Sequence, residues 1–158
     1  MRVLGVALLT AAAVFCGWSG WTYHQSAHSS SVPFARARDQ VRRDARQEIA
    51  VLNTLDPRQS DAGLSRWLDA STGTLRDSLR RTSAQDRQKA LSSGTAAVGT
   101  VTDLAVTELD THAGTAQVIA TVQVKLGSSL ERKRFTAVLA RTGARWKLSS
   151  LTAVPVGA

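Results

Sequence analysis

Cysteine, tyrosine and proline are nearly missing from this chain. Its 158 residues include one cysteine, Cys16, one tyrosine, Tyr23, and three prolines. A lone cysteine excludes an internal disulfide and every Cys-rich zinc site. Acidic side chains are also scarce, with 12 Asp and Glu against 20 Lys and Arg, for a net charge of +8. Aromatic residues make up only 5% of the chain. The 43% of hydrophobic residues is too high for a disordered polymer. The length accommodates one domain with a core and hardly two. A pI near 11.0 first suggests nucleic-acid binding. A nucleic-acid platform needs stacking aromatics, however, and the strand-forming half of the chain offers only Phe135 and Trp146.

Charge is missing altogether from one stretch. After Arg2, residues 3–23 carry no charged side chain. At about 1.5 Å per residue they span about 30 Å, the thickness of a bilayer core. Trp18, Trp21 and Tyr23 gather at the far end, where amphipathic rings favour the membrane–water boundary. Residues 1–24 are therefore expected to form a transmembrane anchor. The competing reading is a cleaved signal peptide, with Arg2 as a minimal basic region and residues 3–15 as its apolar core. Its best cleavage match, Ala27-His28-Ser29, lies beyond two tryptophans, and Val14 and Phe15 disfavour lipid attachment at Cys16. A retained anchor is the better reading. The charges disagree about its orientation. The N-terminal amine and Arg2 favour a cytoplasmic N-terminus, whereas Arg36, Arg38, Arg42 and Arg43 soon after the apolar run pull the other way. Long domains are translocated largely regardless of such charges. The expectation is a single pass through the cell membrane, with the C-terminal domain extracytoplasmic.

Residues 25–34 read as a polar linker, and His24 and His28 lack a third ligand nearby. The domain proper is expected over residues 35–158. Residues 35–55 have helical periodicity, with Val41, Ala45, Ile49 and Leu52 on one stripe. The arginines lie off that stripe, and Asp44 and Glu48 are placed to pair with them on the solvated face. Asp56-Pro57 stops the helix. Asp61 is positioned to cap a short second helix carrying Leu64, Trp67 and Leu68. Thr72-Gly73 breaks it, residues 74–81 form a third helix, and Ser83-Ala84-Gln85-Asp86 reads as a further helix start. After Gly94 the period changes to two. Strands are predicted over residues 96–109, 115–126 and 131–141, with a fourth after the turn at residues 142–145. In that fourth strand Trp146 and Leu148 share one parity and Leu151 and Ala153 the other, which predicts a bulge. Helices followed by four consecutive antiparallel strands define an α+β class. The natural candidate is a cone-shaped fold like that of nuclear transport factor 2, with about three helices on a curved four-stranded sheet.

The order of features resembles the actinobacterial Mce-associated membrane proteins. The residues that carry the likeness are Ala50-Val51-Leu52-Asn53-Thr54-Leu55-Asp56, Leu64 and Thr72-Gly73-Thr74-Leu75-Arg76. To these are added Thr142-Gly143-Ala144-Arg145-Trp146-Lys147-Leu148, Leu151 and Val154-Pro155. These are loose structural positions spread over most of the chain. The resemblance implies a membrane-anchored, extracytoplasmic domain of the nuclear-transport-factor-2 kind. It also implies an accessory role beside the multisubunit Mce systems that import lipids or sterols. Domains of similar shape also serve as inner-membrane scaffolds in type IV secretion.

Little in the sequence points to catalysis. Ketosteroid isomerase sets an Asp base against a Tyr and a protonated Asp, but here the one tyrosine lies in the apolar run. His112 is the domain's one histidine and falls in a turn. Asp103 and Glu108 differ in parity, so a regular strand points them to opposite faces. No phosphate-binding glycine loop or nucleophile elbow is present, and neither a cofactor nor a metal is expected. Surface charge remains. Residues 125–147 hold seven basic side chains against Glu131 alone, with Arg132, Lys133 and Arg134 consecutive. Together with Arg36, Arg38, Arg42 and Arg43 they are the candidate contacts for an anionic partner, such as acidic lipid or an acidic protein face. Trp67, Phe135 and Trp146 are the candidate core or cavity residues. The reading is a non-enzymatic accessory or scaffold protein whose partners are the membrane and an envelope protein complex of Mce-type subunits. The alternative is a carrier holding a lipid or other small apolar ligand inside the cone.

Overall fold

The computed structural model describes residues 31–155. Helix α1 covers Ser31–Leu52, so it begins inside the segment read as a linker. Pro33 is accommodated because it sits in the first turn, where backbone N–H groups have no intrahelical acceptor. A short 3₁₀ turn, Pro57–Gln59, leads into α2 (Ser60–Ala70) and α3 (Gly73–Ser93). Four strands follow: β1 (Ala97–Asp110), β2 (Thr115–Leu126), β3 (Ser129–Thr142) and β4 (Arg145–Val154). They pair in sequence order, all antiparallel. Among the described residues the architecture is therefore three helices and a four-stranded sheet, an α+β fold.

The stripe read from the sequence is the one that packs. Val41, Ala45 and Ile49 are fully buried against the even positions of β2, with Phe135, Ala137 and Leu139 of β3 and Trp146 and Leu148 of β4. Burying a Val or Ile side chain stabilises by about 1.5–3 kcal/mol. The C-terminal carbonyls of α1 are satisfied by side chains. Asn53 Nδ2 donates to the Ile49 carbonyl (2.8 Å), Thr54 Oγ1 to Ala50 (2.8 Å), and Trp67 Nε1 to Val51 (2.9 Å) and Thr54 (3.1 Å). This helix end then docks on β1, with Leu55 and Ala97 exchanging two backbone hydrogen bonds of 2.9 Å. Gly99 permits the approach, since a Cβ there would lie 2.5 Å from Asn53 Cβ and 3.0 Å from its carbonyl oxygen. On the other side of the sheet order, Thr72 N–H donates to the Leu148 carbonyl at 2.8 Å, joining the α2–α3 connection to β4.

Two helical expectations change. Asp61 does not cap α2; it lies in the first turn and pairs with Arg87 of α3 at 2.7 Å. The break expected before Ser83 is absent, and α3 runs unbroken to Ser93, ending at Gly94 in the left-handed region (φ 61°). The hydroxyl of Ser83 donates back to the Arg80 carbonyl (2.9 Å) and that of Thr82 to Ser78 (3.2 Å). Side chains that bond backward inside a helix no longer act as caps.

The sheet carries three bulges, at Thr102, Thr107 and Ser149, where the pairing skips one residue. The Ser149 bulge is the irregularity predicted for the fourth strand. It returns Leu151 and Ala153, opposite Ala137 and Phe135, to the face that holds Leu148. Each bulge residue donates its hydroxyl to a carbonyl across the ladder: Thr102 to Thr121 (3.3 Å), Thr107 to Gln117 (3.1 Å) and Ser149 to Val138 (3.1 Å). The side chain thus supplies a donor where the backbone register slips.

Candidate functional site

The acidic residues of α1 are used internally. Gln40, Asp44 and Glu48, four residues apart, lie on one face and grip the β3–β4 turn. Gln40 Nε2 donates to the Ala144 carbonyl, Asp44 Oδ2 accepts from the Trp146 N–H at 2.9 Å, and Arg145 Nη2 donates to Glu48 Oε1 at 2.5 Å. The expectation that Asp44 and Glu48 pair with arginines on the solvated face is therefore corrected. Glu48 is only 3% exposed. Burial pushes its carboxyl above the usual range. Arg145 opposes that shift, and the neighbouring Asp44 charge adds to it. The sequence held a signal for this clamp, because Glu48 stands seven residues after Val41 on the same buried stripe. With Asp44 and Glu48 turned to the sheet, Arg36, Arg38, Arg42 and Arg43 remain exposed.

The second basic group stands at the far end of the β2–β3 hairpin. Every residue from 125 to 134 is exposed, so this end extends past the helices on both faces. Arg132 and Arg134 lie on the face opposite the core, while Lys133 lies on the helix side and meets Glu131 at 3.2 Å. The three consecutive cations are thus split between faces. Lys125 belongs to the same projection, and Leu130 at 61% exposure is its apolar tip.

The aromatic candidates separate. Trp146, 2% exposed, and Phe135 belong to the main core, whereas Trp67 is half-buried and seals the end of α1. Trp18, Trp21 and Tyr23 lie outside the described residues. So do residues 1–24, expected from the sequence to form an anchor. Among the described residues no helix is long and apolar enough to cross a membrane.

The parity argument for Asp103 and Glu108 is also corrected. The bulge at Thr107 puts both on the outer face, opposite Thr121 and Gln117 respectively. Their partners are four residues apart on β2, or roughly 14 Å at about 3.4 Å per residue. That is too far for one proton to be shared. Glu108, Asp110, Thr115, Gln117 and Val138 line a shallow depression of about 320 Å³ on this face. Asp110 accepts from the His112 and Ala113 N–H groups, both at 2.8 Å. These bonds hold its carboxyl below the usual range and serve to close the β1–β2 turn. His112 is exposed in that turn. No group of three or more His, Cys, Asp and Glu able to hold a metal occurs among the described residues.

A helical layer preceding a four-stranded antiparallel meander places the chain in a known structural class. An IcmL-like type IV secretion system protein from Legionella pneumophila superposes with a TM-score of 0.58 at 16% identity, over 77% of this chain and 94% of that one. The VirB8 protein of Agrobacterium tumefaciens does so with a TM-score of 0.50 at 9% identity, over 76% and 94%. Identities this low establish a shared fold. In sequence, the chain belongs to the family described as "Uncharacterized protein Rv1363c/MT1408-like", which matches residues 2–155. The protein Rv1363c of Mycobacterium tuberculosis (strain ATCC 25618 / H37Rv) is 25% identical to it over 164 aligned positions, gaps included, which cover 98% of this chain. The chain spans 61% of the length of that relative.

Proposed function

We propose that this chain is a non-enzymatic accessory subunit, a scaffold of an envelope protein complex, held to the cell membrane by residues 1–24 with its α+β domain outside the cytoplasm. The observation that carries this reading is the exposed β2–β3 end, where Lys125, Arg132, Lys133 and Arg134 outnumber Glu131 and surround Leu130. Such a projection suits contact with an acidic protein face or anionic headgroups. The fold shared with IcmL-like and VirB8 proteins supports a role in assembly. The family match begins at residue 2, so the uncharged run lies within the sequence the family shares. The finer assignment, to Mce-type import of lipids or sterols, rests on the resemblance of the helix-end and late-strand segments. A lipid-carrier reading is less well supported. A carrier needs an open apolar interior of several hundred Å³, and Phe135 and Trp146 are packed into the core.

The test is cross-linking in the native host from a photoreactive side chain at position 130. Recovery of envelope transport subunits is expected. Recovery of nucleic acid, or of cytoplasmic proteins only, overturns the partner class. A compartment-sensitive reporter fused to the C-terminus is expected to report from outside the cytoplasm, and a cytoplasmic signal rejects the topology.

A further inference from the structure

The cations of the β2–β3 end are not equivalent. Lys133, on the helix side, is answered by Glu131 at 3.2 Å. Lys125, Arg132 and Arg134 share the opposite face of the sheet and have no ion pair among the described residues. The register places them on three successive rungs of that face. Val98, Lys125 and Leu130 form the first rung, and Thr100, Gln123 and Arg132 the second. Asp103, Thr121, Arg134 and Val154 form the third. Arg132 and Arg134 are two residues apart on one strand, about 6.8 Å, and Lys125 is the diagonal neighbour of Arg132 at about 7–8 Å. Large apolar side chains stand beside them in solvent. Val98 (49% exposed) and Leu130 flank Lys125, and Val154 (40%) is the cross-strand neighbour of Arg134. Toward the other end of the same face, β1 carries Glu108 and Asp110.

We propose that this three-rung patch is the surface that meets the partner subunit, and that it fits a protein face bearing carboxylates about 7 Å apart with apolar side chains between them. The inference rests on the accessory-subunit reading above and assigns the contact to one face of the β2–β3 end. Residues i and i+2 of a strand give that spacing, and residues i and i+4 of a helix come close to it. Opposed charges fix the register of such a contact, and the apolar side chains supply its desolvated part. A bilayer suits the face less well. A uniformly anionic surface laid on it meets Asp103, Glu108 and Asp110 as well as the cations, whereas a protein presents carboxylates only where cations stand. The patch covers on the order of 300 Å², which by itself makes a weak contact. Subunits held in one membrane meet at a raised effective concentration, and that compensates for the small area.

The experiment places a photoreactive side chain in the full chain in its native host, either at position 130 on the outer face or at position 129 on the helix side. Both positions are exposed and lie one residue apart. The adduct with an envelope subunit is expected from position 130 at about fivefold or more the yield from position 129. In the chain labelled at position 130, Arg134→Gln should lower that yield about fivefold. Lys133→Gln removes the same charge from the other face and should lower it less than twofold. Asp103→Asn keeps an acceptor for the Thr102 hydroxyl and should raise the yield about twofold, by removing a repulsion that acts over about 10 Å. Misfolding does not produce a gain. Equal losses from Arg134→Gln and Lys133→Gln, no gain from Asp103→Asn, or an adduct formed mainly from position 129 would overturn the proposal and leave the accessory-subunit reading standing. So would adducts of position 130 with a second copy of the chain or with phospholipid in place of the subunit, provided that position 129 still captures it. Failure to capture an envelope subunit from either position defeats that reading, and the proposal with it.

Discussion

Glu48 is the residue at which local pattern and tertiary environment disagree most. On an isolated helix it is one exposed carboxylate among arginines, but in the fold it is buried beneath the β3–β4 turn and paired with Arg145. Its carboxyl is raised chiefly by desolvation, so the folded state binds its proton more tightly than the unfolded chain does. By linkage, the stability it contributes is fully present below its unfolded value and is lost as pH rises through its folded value. Glu48→Gln keeps an oxygen for Arg145 but cannot titrate. The difference in melting temperature between wild type and Glu48→Gln should therefore favour wild type most near pH 4 and shrink as the pH is raised to neutrality. A difference that stays flat, or that grows with pH, rules out this account of the buried carboxylate. Breaking the pair altogether is more severe: Arg145→Ala removes the charged donor from Glu48 and should cost on the order of 1.5–3 kcal/mol in urea unfolding.

At the level of elements, the legible parts were those with a strong period. The Val41–Ala45–Ile49 stripe, the alternation of β2 and the irregularity in β4 could all be read because burial on one face imposes 3.6 or 2 on the sequence. The continuity of α3 was not legible. Ser83-Ala84-Gln85-Asp86 has the composition of a helix start, and only the backward hydrogen bond from Ser83 to Arg80 marks it as helix interior. Ala84→Pro separates the two readings. At the first position of a new helix proline is well tolerated, whereas inside a continuous helix it costs about 3 kcal/mol. Ala84 is exposed, so packing does not obscure the result. We expect a loss of roughly that size in denaturant unfolding, and near-neutral behaviour would mean that the helix breaks there. The bulges were hidden for a related reason. Thr102 and Thr107 are ordinary strand residues, and nothing local says that their hydroxyls replace a ladder bond. The common face of Asp103 and Glu108 therefore emerged only from the register.

For the molecule as a whole, the +8 charge is resolved into groups with different roles. Arg145 serves the internal clamp, Arg87 ties α2 to α3, and Arg132 and Lys133 stand on the projecting hairpin. Reversing both of these last two to Glu changes the net charge by four units, from +8 to +4. Cross-linking from position 130 to envelope partners should fall by about tenfold in Arg132→Glu/Lys133→Glu. Raising salt should weaken the wild-type contact in the same direction, since exposed charges are screened beyond about 10 Å at 0.1 M. If the reversed hairpin still recovers the same partners at the same yield, the basic projection is only a solubilising edge.

The sequence by itself determined the α+β class, the element order, the core-facing positions of α1 and β2, and the excess of positive charge. These depend on periodicity and composition, which are local properties. Only the tertiary structure decided which charges stay exposed and which turn inward, because that depends on how strands are registered and on which helix face meets the sheet. A bulge shifts a carboxylate from one face to the other, and burial against Trp146 and Arg145 turns two apparent surface acids into a clamp. The place of Glu48 on the buried stripe signals that it turns inward, but no window of neighbouring residues names its partner, because Arg145 lies 97 positions further along the chain.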